Sequence, residues 1–254
     1  MKDRVRQVLV VISVLATLAV NALANILPFN GVSTAEVSNR FQVFFVPAGY
    51  VFAIWGIIYI GLIAYAVFQA LPSQRENPVL RRTGYPVVVS GLANMVWLFL
   101  WHYGQFPLTV IVMLGLLAVL ILIYLELGIG RTKVAAAETW AVRVPFSIYL
   151  GWITVATIAN ITDLLYYWQW DGFGISARNW TLIIFAAILV IAGLMSLTRR
   201  DIAYNLVIVW ALVGIAVKQS AAKSILLASL ATAVLVVAVL AYSLYRKTPA
   251  KANS

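Results

Sequence analysis

Eight stretches of this chain stay apolar for about twenty residues at a time, the length a helix needs to cross a bilayer. They run approximately Val8–Leu27, Pro47–Leu71, Thr83–Trp101, Pro107–Ile129, Ala141–Ile161, Asn179–Leu197, Ile202–Val217 and Ser224–Tyr245, the seventh being the shortest. Continuous runs without a ten-residue apolar–polar alternation indicate helices rather than a β-barrel. Composition agrees, with 63% hydrophobic and only 10% charged residues, against roughly 25% charged in ordinary soluble domains. The expected fold is therefore all-α, a polytopic transmembrane helical bundle of about eight spans whose surroundings are a lipid bilayer. No polar segment is long enough to form a separate soluble domain.

The charges test the span count. With eight spans, every Lys and Arg except Arg40, Arg178, Lys218 and Lys223 falls on one side of the membrane. By the positive-inside rule this places both termini in the cytoplasm. Merging the last two spans would put the basic C-terminus on the other side. The net charge of +10 thus reports topology, and no nucleic-acid partner is expected. A basic start, the apolar run Val8–Val20 and the small residues Ala22–Ala24 imitate a signal peptide. Because the run continues through Leu27, a retained first span is expected. Lys247–Ser254 reads as a disordered tail.

Several chemistries are excluded by inventory. Cysteine is absent, so disulfides, thiolate nucleophiles and Cys-based zinc sites are out. There is no phosphate-cradling glycine loop and no His-Glu-x-x-His motif. The only histidine, His102, falls where the third span meets the surface and is expected to be solvated. Glu126, near the end of the fourth span, is expected to snorkel toward Arg131. No catalytic residue and no metal ligand set can be named.

Three apolar spans nonetheless carry aromatic and amide stripes. In the second, Phe52, Trp55 and Tyr59 follow at spacings of three and four and share a helical face. A helix starting at Pro47 would put Trp55 about 12 Å along it, too deep for an interfacial tryptophan belt. In the third span Asn94, Trp97 and Trp101 share a face. The amide must find a partner in hydrocarbon, so this face points into the bundle. In the fifth, Tyr149, Trp152, Ala156 and Asn160 form one stripe, and Gly151 permits close helix approach. Helix packing explains such stripes, and so does the wall of a binding pocket.

These motifs resemble the TspO/MBR family, the tryptophan-rich sensory proteins related to the mitochondrial translocator protein. The family's second helix carries a pattern close to Pro-Pro-x-x-Val-Phe-Gly-Pro-Val-Trp-x-x-x-Tyr, whose spacings Pro47, Trp55 and Tyr59 keep. Its third helix carries Leu-Asn-x-x-Trp, matched by Asn94 and Trp97. Its fifth carries Pro-Tyr-x-x-Trp-x-x-x-Ala-x-x-x-Asn, matched by Tyr149, Trp152, Ala156 and Asn160. Val51, Phe52 and Ala53 stand where the family has Phe-Gly-Pro, and Ile148 replaces the fifth-helix proline. No basic residue follows Tyr166 before Arg178, so the family's sterol-contact motif is not reproduced.

The resemblance covers residues 1–165 and implies a five-helix unit, with 166–254 supplying additional spans and the tail. It implies a ligand site built from Trp55, Tyr59, Asn94, Trp97, Tyr149, Trp152 and Asn160, beneath a lid formed by the loop Pro28–Val46. The implied ligand is a tetrapyrrole or other planar apolar molecule, bound for sensing or transport in a bacterial plasma membrane. A secondary transporter of a small solute, or a porphyrin-degrading enzyme, are the alternatives. The last three spans shield the bundle, form a homodimer face or add a second site, and the sequence leaves these open.

Overall fold

A computed structural model describes residues 2–27 and 29–246. Pro28, at the start of the expected lid loop, and the tail from Lys247 lie outside the described residues. The described chain is helical and contains no strand.

The membrane helices are α1 (Lys2–Ile26), α3 (Ile54–Ala70), α4 (Pro78–His102), α5 (Phe106–Glu126), α7 (Val144–Tyr167), α8 (Ala177–Arg199), α9 (Ile202–Lys218) and α10 (Lys223–Tyr245). Seven of the helical stretches are long and apolar enough to span a membrane. The eighth expected span, α9, has 17 residues. Between α1 and α3 lies the short helix α2 (Thr34–Ser38). The three-residue α6 (Ala136–Glu138) and a π-helical turn (Thr139–Arg143) lead into α7.

Local chemistry sets the ends. Ser33 opens α2 with the expected capping box, accepting from the Glu36 N–H while the Glu36 carboxylate accepts from the Ser33 N–H. That second bond holds the Glu36 carboxyl below its ordinary value. Asn77, Ser176 and Asp201 cap α4, α8 and α9 through their side-chain oxygens. Two boundaries differ from expectation. The second span begins as a 3-10 turn (Gly49–Ala53) and becomes α-helical only at Ile54, so a depth counted on continuous α-helix from Pro47 does not apply. The fifth span continues to Tyr167, past its expected end at Ile161.

Five helices close into a ring in which α1 packs on α4, α4 on α5, α5 on α7, α7 on α3, and α3 on α1. A second layer of α8, α9 and α10 attaches to it through α9, which lies along α7. Where α7 and α9 meet, a Cβ on Gly151 would stand 3.1 Å from the Tyr204 carbonyl oxygen and from Val207 Cβ. At the other end of α9, Gly214 leaves room for Val51 and Pro47, and its carbonyl accepts from the Ala48 N–H.

Polar bonds hold the ring where apolar packing alone would allow sliding. Arg6, buried in α1, donates to the carbonyls of Leu80 (2.6 Å) and Arg75 (2.8 Å). Asp201 ties the two layers together. Its Oδ2 accepts from Tyr124 of α5 (2.9 Å) and Ser147 of α7 (2.6 Å), and its Oδ1 caps α9 through the Tyr204 N–H. Glu126 pairs with Arg82 of α4 at 2.6 Å rather than with Arg131, because α4 and α5 are neighbours in the ring.

Two stability outcomes follow. Asp201→Ala strands two buried hydroxyls and uncaps a helix, each loss worth about 1–3 kcal/mol. Its midpoint in a detergent thermal-unfolding assay should fall well below that of Asp171→Ala, which removes a cap from an exposed turn. Equal losses would remove Asp201 from its tying role. Gly214→Ala drives a methyl into Val51 and should cost roughly 1–3 kcal/mol by overpacking, read as a lowered midpoint in the same assay. An unchanged midpoint would show that α9 yields at this contact.

Candidate functional site

The aromatic stripes meet in one chamber at the end of the ring covered by residues 29–46. Trp55 enters from the first turn of α3, its ring 5.7 Å from Tyr59, 6.1 Å from Tyr149 and 6.3 Å from Trp152. Phe52 meets Trp152 edge-on at 5.7 Å. From α4, Trp97 stacks on Trp101 at 5.3 Å. The Trp97 indole N–H donates to Asn160 Oδ1 (3.0 Å), and the Asn160 amide donates to Thr109 of α5 (2.9 Å). One amide thus orients a tryptophan and joins α4, α5 and α7.

The expected site residues divide into two groups. Trp55, Trp97, Trp152 and Asn160 line a cavity of about 50 Å³, together with Phe52, Trp101, Met113, Asp163 and the lid residues Thr34 and Ser38. Tyr59, Asn94 and Tyr149 do not line it. They support it from behind, Tyr59 stacked on Trp55 and the Asn94 side chain interacting with the Tyr149 hydroxyl. Asn94 Oδ1 also accepts from Asn21 of α1 at 2.8 Å.

The lid is held at both sides. Asn30 donates to the His102 carbonyl oxygen (3.1 Å) and the Trp101 indole N–H to the Thr34 carbonyl (3.3 Å). Val37 and Phe41 pack on Trp101, Phe106 and Leu164. On the far side Lys218 of α9 donates to Asn39 Oδ1 (3.2 Å), and the following Gln219 donates to the carbonyls of Val43 and Phe44. His102, expected in solvent, is 1% exposed instead. The lid covers it, with Phe29 edge-on at 5.7 Å and Thr34 beside Nε2.

The motifs did not disclose Asp163. It sits three residues beyond Asn160, one turn further along the same face of α7, and is 2% exposed. Ending the span at Ile161 placed it in a loop and hid that spacing. Asp163 Oδ1 and the Trp152 indole N–H, both in the chamber lining, have no hydrogen-bond partner.

Two larger cavities lie elsewhere. One of about 320 Å³ is behind the lid, between Gln42–Phe45 and the facing ends of α7 and α8. The segment Gln42–Pro47 therefore partitions it from the chamber. The other, about 1150 Å³, is a crevice between α3 and α9. Its lining includes Ile57, Leu206 and Trp140, the last 71% exposed, so it is continuous with the apolar outer surface. It contains none of the expected site residues. Among the described residues no cluster of His, Asp and Glu could hold a metal ion.

No curated protein and no solved structure matches the chain. A family model described as TSPO-like protein matches residues 7–242, nearly the whole sequence, and the chain belongs to that family.

Proposed function

We propose that this TSPO-like membrane protein binds a planar apolar ligand, a tetrapyrrole or a molecule of similar shape, in the chamber under residues 29–46. The observation that carries this is convergence. Trp55 of α3, Trp97 of α4, and Trp152 and Asn160 of α7 line one cavity, and the lid covers it. Aromatic faces around a few fixed polar groups are what a flat apolar ligand needs.

The cavity of about 50 Å³ represents a closed state, since pockets that enclose drug-sized ligands measure roughly 300–1,000 Å³. A ligand enters by displacing the partition Gln42–Pro47, which would merge the chamber with the cavity behind it. That step makes binding and lid opening one event and suits sensing or transport. The second layer then acts on the site, because Lys218 and Gln219 hold the lid. The family match continues to residue 242 and so takes in α8, α9 and most of α10, beyond the five-helix unit of residues 1–165. The distribution of Lys and Arg supports a cytoplasmic location for both termini, and the family resemblance supports a bacterial plasma membrane as the setting.

Titration with an alkyl-substituted porphyrin that carries no carboxylate, followed by tryptophan quenching in nanodiscs, tests the site. Trp55→Ala with Trp152→Ala should weaken binding by at least about tenfold, or 1.4 kcal/mol. Unchanged affinity would remove the chamber as the site. The lid makes a kinetic claim. Gln219→Ala removes bonds to two lid carbonyls and should speed association and dissociation several-fold, measured by stopped-flow quenching. Unaltered rates would show that the ligand does not pass under Gln42–Pro47.

A further inference from the structure

We infer that the chamber selects a ligand carrying an organic ammonium group, and that Asp163 is the residue that recognises it. This rests on the chamber being the ligand site and adds the chemical class of the ligand's head.

Asp163 lies inside the ring, 2% exposed, toward the lid end of a mainly aromatic and aliphatic lining in which it is the one carboxylate. A carboxylate withdrawn from water needs a compensating donor or cation. Its Oδ1 has no hydrogen-bond partner. The nearest cation acting on it is Lys218, yet that ammonium is bonded to Asn39 of the lid and makes no ion pair with Asp163. The carboxylate is thus positioned by α7 and left without a direct partner.

Its neighbours strengthen the case. Trp55, Trp97, Trp101 and Trp152 present four indoles around the same small space. Tryptophan faces attract cations most strongly where water is excluded. Aromatic walls with one carboxylate form the arrangement that recognises an alkylammonium. An anion meets the carboxylate with only the Trp152 indole N–H to offset it, and a neutral ligand gains the walls and that donor but no charge pairing. The closed cavity of about 50 Å³ is on the scale of such a head, while a flat body requires the lid to open. Lys218 then has a second consequence. A lid that carries Asn39 away from Lys218 frees the lysine ammonium to approach Asp163, so ligand and lysine compete for one carboxylate.

The test uses three probes of one shape, 1-naphthylmethylammonium, 1-naphthylmethanol and 1-naphthoate, by calorimetry on the full chain in zwitterionic-lipid nanodiscs. Protein with Trp55→Ala and Trp152→Ala supplies the membrane-partition background. The ammonium should bind at least about tenfold more tightly than the alcohol, and the carboxylate most weakly. Asp163→Asn, which keeps the shape, should bring ammonium and alcohol within about twofold, while Asp163→Glu keeps the preference. If the alcohol binds in the chamber but the ammonium is not preferred, or its preference survives Asp163→Asn, this inference is overturned and the chamber stands. If no probe binds above background, both fall.

Discussion

A side-chain amide in hydrocarbon has no water to bond and must find its partner inside the protein. The chamber depends on this constraint. Asn21 and Asn94 bond to each other and join α1 to α4. Asn160 bonds Trp97 and Thr109 and joins α7 to α4 and α5. With the Trp97 indole fixed by its N–H, Trp101 stacks against it, and Phe41 of the lid packs against Trp101. The lid position therefore follows from an amide placed one helix away. Apolar packing supplies most of the contact, but it is tolerant of rotation, and these bonds choose one register.

The second layer is coupled to that site by two devices. At one end, Asp201 bonds α5 and α7 while capping α9, which sets where α9 lies along the ring. At the other end, α9 delivers Lys218 and the adjoining Gln219 to the lid and seats Val51 and Pro47 against Gly214. A helix anchored at one end and bonded to the lid at the other would carry a proposed lid displacement into α9 and its neighbours α8 and α10. On the proposed function, this would give the additional helices a role beyond shielding and make a binding event legible outside the chamber.

The spans and the inward-facing stripes were legible in the sequence because hydrocarbon enforces them locally. Length selects the helices, and one amide on a face decides which way Trp97 and Trp152 point. What was not legible depends on contacts between helices. Spacing could not show that Asn94 and Tyr149 stand behind the cavity wall while Trp101 stands in it, since all lie on inward faces. Glu126 bonds Arg82 because α4 neighbours α5, which no span pattern specifies. His102 is buried by a lid whose placement is tertiary. Asp163 was missed because the fifth helix ran six residues beyond its expected end, to Tyr167, carrying a carboxylate into the chamber. Phe52, which departs from the family pattern, still meets Trp152 edge-on from within the 3-10 turn before α3.

Photolabelling tests the location of the site most directly. A flat aromatic amine bearing a diazirine would be irradiated with the protein in its membrane and the labelled peptides mapped by mass spectrometry. Label is expected on the α7 segment from Trp152 to Asp163 and on the lid around Thr34–Ser38, suppressed by excess unlabelled amine. Label confined to the crevice between α3 and α9, at Trp140, Leu206 or Trp210, would contradict it.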